Sequence, residues 1–223
     1  MDHRGHGRGI RSRRPFRLDD CADDAAALIR TLHLRRVIVV GYSMGGLVAQ
    51  LVWKRHRPLV AGLVLCATSR VFIGSAREHG RFSALGAFGL ASRLVPRRLS
   101  AERIARAIGK RSSAGPLEGW AAEELRRNDW TAIFEAGRAL GYFDSRPWAK
   151  DIDVPTAVVV PTHDSMIPAS RQIALARAIP GATVHPIRAE HTVAGTQPER
   201  FVPVLLEAIS SVTARAAATT AGP

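Results

Sequence analysis

Four short apolar runs divide the chain, and each is typical of a β-strand. They occupy residues 37–43, 61–67, 156–160 and 182–187. The first of them, VIVVGYS, is a continuous β-branched run of the kind found in strands that are buried on both faces of a parallel sheet. The last run contains Pro186, which cannot donate a ladder hydrogen bond, so we expect that strand at an edge of the sheet.

Between these runs the apolar positions repeat at helical spacing. Residues 18–34 carry an apolar stripe, and Asp19 or Asp20 can cap the start of this helix. The stripe consists of Ala25, Leu28, Ile29 and Leu32. Further helices are predicted over residues 44–57 and 169–179. Strands that alternate with helices predict an α/β fold with a mostly parallel sheet.

Residues 71–148 interrupt this alternation. They contain no convincing strand, and four segments have a helical pattern, at 84–94, 101–110, 119–127 and 130–140. We therefore predict a helical cap that is inserted into an α/β core. The core would comprise residues 1–70 and 149–212, and the small, polar residues 213–223 are expected to form a flexible tail.

Composition is ordinary except for charge. The 223 residues are 46% hydrophobic and 23% charged, as in globular domains, but the net charge is +13. Because the only lysines are Lys54, Lys110 and Lys150, nearly all of the 32 basic residues are arginines. The arginines are scattered along the chain instead of forming a stripe with aromatic residues. This distribution predicts a solvated, arginine-rich surface and no specific nucleic-acid partner.

The cysteines and the hydropathy exclude several classes of protein. Cys21 and Cys66 are too few for a disulfide framework and neither has metal-ligand spacing, so we expect two buried thiols and no metal site. The sequence has no nucleotide-binding loop, and no cofactor is predicted. No stretch reaches the length of a membrane span and the N-terminus lacks a hydrophobic signal core. We therefore expect a soluble, cytoplasmic protein.

The clearest chemical motif is Gly41-Tyr42-Ser43-Met44-Gly45-Gly46, which contains the pattern G-x-S-x-G. It lies between a predicted strand and a predicted helix, where a sharp turn would expose the serine hydroxyl as a nucleophile. Gly41 and Gly45 are expected to relieve collisions in that turn, and Gly46 to let the helix pack closely. The alternative is a glycine-rich turn with an inert serine.

A serine nucleophile needs a base, and the base needs a carboxylate that orients it. Asp164 follows the predicted strand 156–160, and His191 follows the strand 182–187. The order Ser, Asp, His along the chain is the one this mechanism has on an α/β sheet. Asp164 could instead be a turn residue and His191 an ordinary loop histidine. His163 is a weaker candidate base, because it lies on the same loop as Asp164.

With these motifs in place, residues 1–212 resemble the α/β-hydrolase superfamily, specifically its Ser-His-Asp esterases, lipases and cofactor-free haloperoxidases. The matching stretches are DHRGHGRG, VVGYSMGG, VPTAVVVPTHDSMIP and AEHTVAGTQPERF. The resemblance implies that Ser43 is the nucleophile, Asp164 the acid and His191 the base. It also implies that the backbone N–H of Met44 is an oxyanion-hole donor. The family commonly has glycine before this histidine, whereas this chain has Glu190.

The same resemblance implies that the chain begins at a loop which follows the fourth strand in the family. In the family, the D-x-R-G-x-G loop follows the fourth of eight strands, so we expect only strands equivalent to the fifth through eighth. The loop with the second oxyanion donor would then be absent, at a cost of roughly 3 kcal/mol. The strand over residues 37–42 would have one open edge, which predicts self-association or a partner chain.

The expected function is hydrolysis of a small carboxylic ester through an acyl-enzyme intermediate. Perhydrolysis, C–C bond hydrolysis and acyl transfer would use the same three residues and stay open. So does a non-catalytic alternative, in which the chain is an inactive remnant or a half-domain that needs a partner.

Overall fold

The computed structural model describes residues 1–12, 14–72 and 127–220. These fall into two compact units: Met1–Cys21 with residues 127–142, and Ala22–Phe72 with residues 143–220. Residues 1–21 therefore belong to the same unit as residues 127–142, whereas the sequence pattern predicts that they belong to the α/β core. The helices predicted over 84–94 and 101–110, and 119–127 except for Arg127, lie outside the described residues.

The second unit contains a four-stranded parallel sheet. Its strands are β1 (Val37–Tyr42), β2 (Val60–Cys66), β3 (Thr156–Pro161) and β4 (Thr183–Ile187). They lie in the order β1-β2-β3-β4, and every neighbouring pair is parallel. This confirms the four predicted strands. It also confirms the expected place of Pro186, since β4 is an edge strand in which Pro186 lies opposite Val160.

Six α-helices accompany the strands in the described residues. They are α1 (Leu18–Thr31), α2 (Met44–His56), α3 (Trp130–Tyr142), α4 (Ala169–Ala178), α5 (Val193–Thr196) and α6 (Pro198–Thr220). Short 3-10 turns lie at Arg57–Leu59 and Ala149–Asp151. The predicted helices 44–57, 130–140 and 169–179 are confirmed to within two residues at each end.

Helix α1 ends three residues before its predicted end because the chain reverses there. His33 has a left-handed backbone with φ of 53°. Its N–H donates to the carbonyl of Arg30 at 2.9 Å, and the N–H of Leu34 donates to that of Ile29 at 3.1 Å. This pair of bonds is the Schellman arrangement, which satisfies the last carbonyls of a helix and stops it.

The core of the second unit lies on both faces of the sheet. Helix α2 packs against β1 and β2, α4 packs against β3 and β4, and α6 crosses β2, β3 and β4. Side chains alternate between the two faces of a strand, so each strand contributes to two layers. The layer beneath α6 contains Val64, Cys66, Ala157, Val159, Ile187, Phe201, Ala208 and Val212, all of them buried. Strand β3 is buried along its whole length.

Strand β1 is less buried than the sequence pattern predicted. Its first three residues are half-buried and Val40 is 46% exposed. The physical reason is that β1 pairs with β2 and with no second strand among the described residues. The expectation of a strand buried on both faces is therefore wrong for β1, and the expectation of an open edge is correct within this part of the chain.

In the first unit, the opening loop packs on the start of α3. The N–H of Gly7 donates to Oδ1 of Asn128 at 2.8 Å, and the N–H of Asp129 donates to the carbonyl of Gly5 at 2.7 Å. A Cβ on Gly5 would lie 2.1 Å from Cβ of Ala132, so only glycine fits there. Gly5 thus permits close packing of this loop on α3.

The C-terminal helix differs from the predicted tail. Helix α6 continues to Thr220, whereas residues 213–223 were expected to be flexible. Arg215 explains the difference, because its guanidinium donates to the carbonyls of Gly181 at 2.8 Å and Thr156 at 2.9 Å. These contacts tie the last turns of α6 to the entrances of β3 and β4.

Helix α6 also revises the expectation about membrane spans. Among the described residues it is the one helix long and apolar enough to cross a membrane, over Pro198–Ala218 with a mean hydropathy of 1.4. Only 17% of this segment is buried. Ala208 and Val212 of α6 are fully buried against the sheet. The expectation that no stretch has this length is wrong.

The contacts of Arg215 predict a measurable effect on stability. We expect Arg215→Met to lower the free energy of unfolding by about 1.5 kcal/mol, because two backbone carbonyls lose a charged donor. The melting temperature should fall by about 3–6 °C in calorimetry. Arg177→Met, at an exposed position on α4, is the control and should change it by about 1 °C or less. Equal melting temperatures for the two variants would contradict this role of Arg215.

Candidate active site

Ser43 occupies a strained turn between β1 and α2. Tyr42 is the last residue of the strand and Met44 the first of the helix, so one residue makes the connection. Its backbone has φ of 53° and ψ of −117°, a conformation that L-residues rarely adopt. The N–H of Ser43 donates to the carbonyl of Cys66 at 2.8 Å, and its carbonyl accepts from Gly46 N–H at 2.9 Å. The turn predicted from G-x-S-x-G is present, and these bonds hold it.

Two of the three glycines in this turn are required by space. A Cβ on Gly41 would lie 2.2 Å from the carbonyl oxygen of Gly45, and one on Gly46 would lie 2.5 Å from Cγ2 of Thr68. The expectation for Gly45 is wrong, because a Cβ there would meet no described atom within 4 Å. A side chain at position 45 would therefore not collide with the described residues of the turn. Gly41 thus allows β1 to approach the start of α2, and Gly46 allows α2 to approach Thr68 in the loop after β2.

Asp164 lies in the turn after β3, and its side chain is fully buried. Four donors surround its carboxylate. Oδ1 accepts from the N–H groups of Met166 at 2.9 Å and Ile167 at 2.7 Å. Oδ2 accepts from Nε2 of Gln172 at 3.0 Å and lies 2.8 Å from Nδ1 of His191. Both oxygens of this buried carboxylate are thus paired with donors.

His191 lies in the loop after β4 and connects the other two residues. Its Nδ1 is 2.8 Å from Oδ2 of Asp164, and its Nε2 is 2.9 Å from Oγ of Ser43. Because an ionised carboxylate only accepts hydrogen bonds, we assign the ring proton to Nδ1. Nε2 then accepts the hydroxyl hydrogen of Ser43. The structure therefore brings together the three residues predicted from three separate loops.

The loops that carry Asp164 and His191 are bonded to each other beyond the sheet. The N–H of Thr162 donates to the carbonyl of Ile187 at 2.8 Å, and that of His163 donates to the carbonyl of Ala189 at 3.0 Å. The N–H of Ser165 donates to Oε2 of Glu190 at 3.2 Å. Glu190, the departure from the family pattern, thus spans the two loops. Its carboxylate bonds to the residue next to Asp164.

Tyr42 links the serine turn to the histidine loop, a contact that no pattern in the sequence predicts. Its hydroxyl donates to the backbone carbonyl of His191, and its ring lies edge-on to those of His191 and Phe201. Burial raises the pKa of the Tyr42 hydroxyl to about 12. The group therefore keeps its proton, and its role as a donor, throughout the neutral range.

The other candidate groups lie away from this constellation. His163 is exposed, and its Nδ1 lies 3.5 Å from Oγ1 of its neighbour Thr162. Cys21 and Cys66 are buried thiols outside any disulfide, as predicted, and burial raises the pKa of the Cys66 thiol to about 12. Among residues 1–12, 14–72 and 127–220, no group of three or more His, Cys, Asp or Glu side chains is placed to hold a metal ion.

Comparison with known proteins places the chain in a family. Residues 1–204 match the sequence model of the alpha/beta hydrolase family. The chain belongs to that family. This confirms the resemblance drawn from the motifs, and the parallel sheet with its strained serine turn agrees with it.

Relatives of this alpha/beta hydrolase include enzymes with named activities. The chain is 25% identical over 211 residues to 3-oxoadipate enol-lactonase 2 of Acinetobacter baylyi, covering 90% of this chain and 73% of the relative. It is similar to a thermophilic esterase from Thermogutta terrifontis, with a TM-score of 0.72, 25% identity and coverage of 95% and 78%. An enol-lactonase from Burkholderia xenovorans, at 23% identity, has the same fold, with a TM-score of 0.74 and coverage of 94% and 79%.

Gly41 and Gly45 provide a matched pair of variants, because a Cβ is crowded at the first position and meets no described atom at the second. Gly41→Ala should lower the melting temperature by about 5–10 °C, because its new methyl group meets a backbone oxygen that cannot move aside. Gly45→Ala should leave it unchanged or raise it, since alanine is favoured over glycine in a helix by up to about 1 kcal/mol. Thermal unfolding followed by circular dichroism measures both. If Gly45→Ala were the more damaging variant, this account of the turn would be wrong.

Proposed function

We propose that this protein hydrolyses carboxylic esters, with Ser43 as the nucleophile, His191 as the general base and Asp164 as the orienting acid. The observation that carries the proposal is the unbroken chain of hydrogen bonds from the Asp164 carboxylate through His191 to the Ser43 hydroxyl. A serine hydroxyl becomes nucleophilic when a base accepts its proton in this geometry. Membership of the alpha/beta hydrolase family supports the same reaction type.

In the first half of the reaction, Oγ of Ser43 attacks the ester carbonyl carbon and its proton passes to Nε2 of His191. The negative charge that develops on the carbonyl oxygen is stabilised by the N–H of Met44, the first residue of α2. N–H groups at the start of a helix have no acceptor within the helix and point outward. His191 then returns the proton to the leaving oxygen as its bond to the carbonyl carbon breaks, which leaves an acyl group on Ser43.

In the second half, a water molecule replaces the alcohol. His191 accepts a proton from this water, the hydroxide attacks the acyl carbon, and the bond to Oγ of Ser43 breaks as the proton returns to it. Asp164 keeps its charge throughout and stabilises the imidazolium in both halves. Its four donors hold it in one orientation while this happens.

Lactones belong to the same substrate class, because a lactone is a cyclic ester. In that case the alcohol released in the first half stays attached to the acyl group. Two of the relatives are named as enol-lactonases and one as an esterase, which supports testing both kinds of substrate.

The proposal predicts a defined order among variants. With p-nitrophenyl acetate and with a small lactone, Ser43→Ala should abolish turnover to the detection limit, since no acyl-enzyme can form. Asp164→Asn should lower kcat by about 10⁴-fold, because the amide favours the wrong histidine tautomer. The measurement is steady-state kinetics, with circular dichroism to establish that each variant is folded.

Ser165→Ala is the matched control for these variants. Ser165 is exposed and follows Asp164, and its contact to Glu190 uses the backbone N–H, which alanine retains. It should hydrolyse esters at the wild-type rate. Activity in Ser43→Ala equal to wild type, or a folded wild-type protein that turns over neither substrate, would contradict the proposal.

A further inference from the structure

Gln172 is a fully buried polar side chain beside the acid. It lies in the first half of α4, and none of its surface is exposed. Its Nε2 donates to Oδ2 of Asp164 at 3.0 Å and to the carbonyl of Ile167 at 2.7 Å. The oxygen that accepts from Gln172 is therefore the same one that faces His191.

The orientation of this amide is determined by its partners. A carboxylate and a backbone carbonyl both only accept, so the nitrogen of Gln172 must face them. The other atom, Oε1, is consequently buried and has no hydrogen-bond partner among the described residues. A buried acceptor without a partner is destabilising, whereas Nε2 supplies a donor to two buried acceptors that an apolar side chain would leave unpaired. The polar contacts of this side chain are thus concentrated on Asp164 and the loop that follows it.

We propose that Gln172 is a positioning residue that acts through Asp164 and fixes the direction of Oδ2 towards Nδ1 of His191. This inference rests on the proposed function of Asp164. The N–H groups of Met166 and Ile167 hold Oδ1, and no backbone N–H among the described residues is bonded to Oδ2. Gln172 holds the second oxygen from the helix side. These two N–H groups and the Gln172 amide together define the plane of the carboxylate independently of His191.

The proposal predicts a loss of catalysis in a folded variant that lacks the donor. Gln172→Met has nearly the same length and removes both the donor and the unpaired oxygen. We expect its melting temperature to fall, because Oδ2 of Asp164 and the carbonyl of Ile167 lose a donor. We expect kcat for p-nitrophenyl acetate to fall on the order of tenfold at unchanged KM, because the lost contact lies behind the base and away from the substrate.

Gln172→Glu keeps the size of the side chain and replaces the donor that faces Asp164 with a negative charge. Its carboxylate would face that of Asp164, and two like charges at this distance repel. We expect a larger loss of kcat than in Gln172→Met at high pH. The ratio of variant to wild-type kcat, taken at the same pH, should rise as the pH is lowered and one of the two carboxyl groups binds a proton. A ratio that does not change with pH would contradict the contact between position 172 and Asp164.

The control is Gln50, the other fully buried glutamine. It bonds to the carbonyls of Gly46 at 3.2 Å and Ser69 at 3.3 Å and accepts from the Ser145 hydroxyl at 2.7 Å, and none of these partners belongs to the triad. Gln50→Met should lower the melting temperature, since three groups lose their partner, and should change kcat less than Gln172→Met does.

The decisive measurement does not depend on ester hydrolysis. The proton on Nδ1 of His191 is shared with Asp164 and should give a resonance in the low-field region of the proton NMR spectrum of the wild-type protein. The His191→Gln variant, which lacks this proton, identifies that resonance by its loss.

In folded Gln172→Met, we expect this resonance to broaden and move upfield, while Gln50→Met retains it. An unchanged resonance in Gln172→Met would overturn the inference about Gln172 whether or not the protein cleaves esters. A displaced resonance in a protein without esterase activity would support the inference and refute the proposed function instead.

Discussion

The parallel pairing of β3 with β4 is the constraint on which the candidate site depends. It brings the carboxyl ends of both strands to one edge, and the backbone bonds continue past them, from Thr162 to Ile187 and from His163 to Ala189. A shift of the register by one residue would move the loop after β3 by about 3.3 Å relative to the loop after β4. The 2.8 Å contact between Asp164 and His191 therefore depends on the register of this strand pair.

Ser43 is held from one side only, within the part of the chain that the structure describes. In the described residues β1 pairs with β2 alone, and the first four residues of β1 are more exposed than those of β3. Ser43 is nevertheless fixed, because its N–H bonds to Cys66 on β2 and its neighbour Tyr42 bonds to the histidine loop. Both ties run towards the interior of the sheet. The described contacts that position Ser43 thus lie on the β2 side of β1.

Much of this arrangement could be predicted from the sequence, for physical reasons that also explain the failures. Strands form where apolar runs are short and continuous, and residues that follow parallel strands must meet at one edge, so Ser43, Asp164 and His191 could be named in advance. Gln172 could not, because a polar residue in a short helix has no pattern that distinguishes burial against Asp164 from exposure. The end of α6 was missed since the contacts of Arg215 join residues far apart in sequence. Local composition does not report such contacts.

The central claim is that Ser43 is activated by His191, and a covalent probe tests it most directly. The folded protein is incubated with a fluorophosphonate, which reacts with activated serines, and the modified residue is located by peptide mass spectrometry. The account predicts a single adduct on the peptide that contains Ser43, formed in wild-type protein and absent when His191 is replaced by glutamine. A folded wild-type protein that remains unlabelled at Ser43, or that is labelled equally without His191, would contradict it.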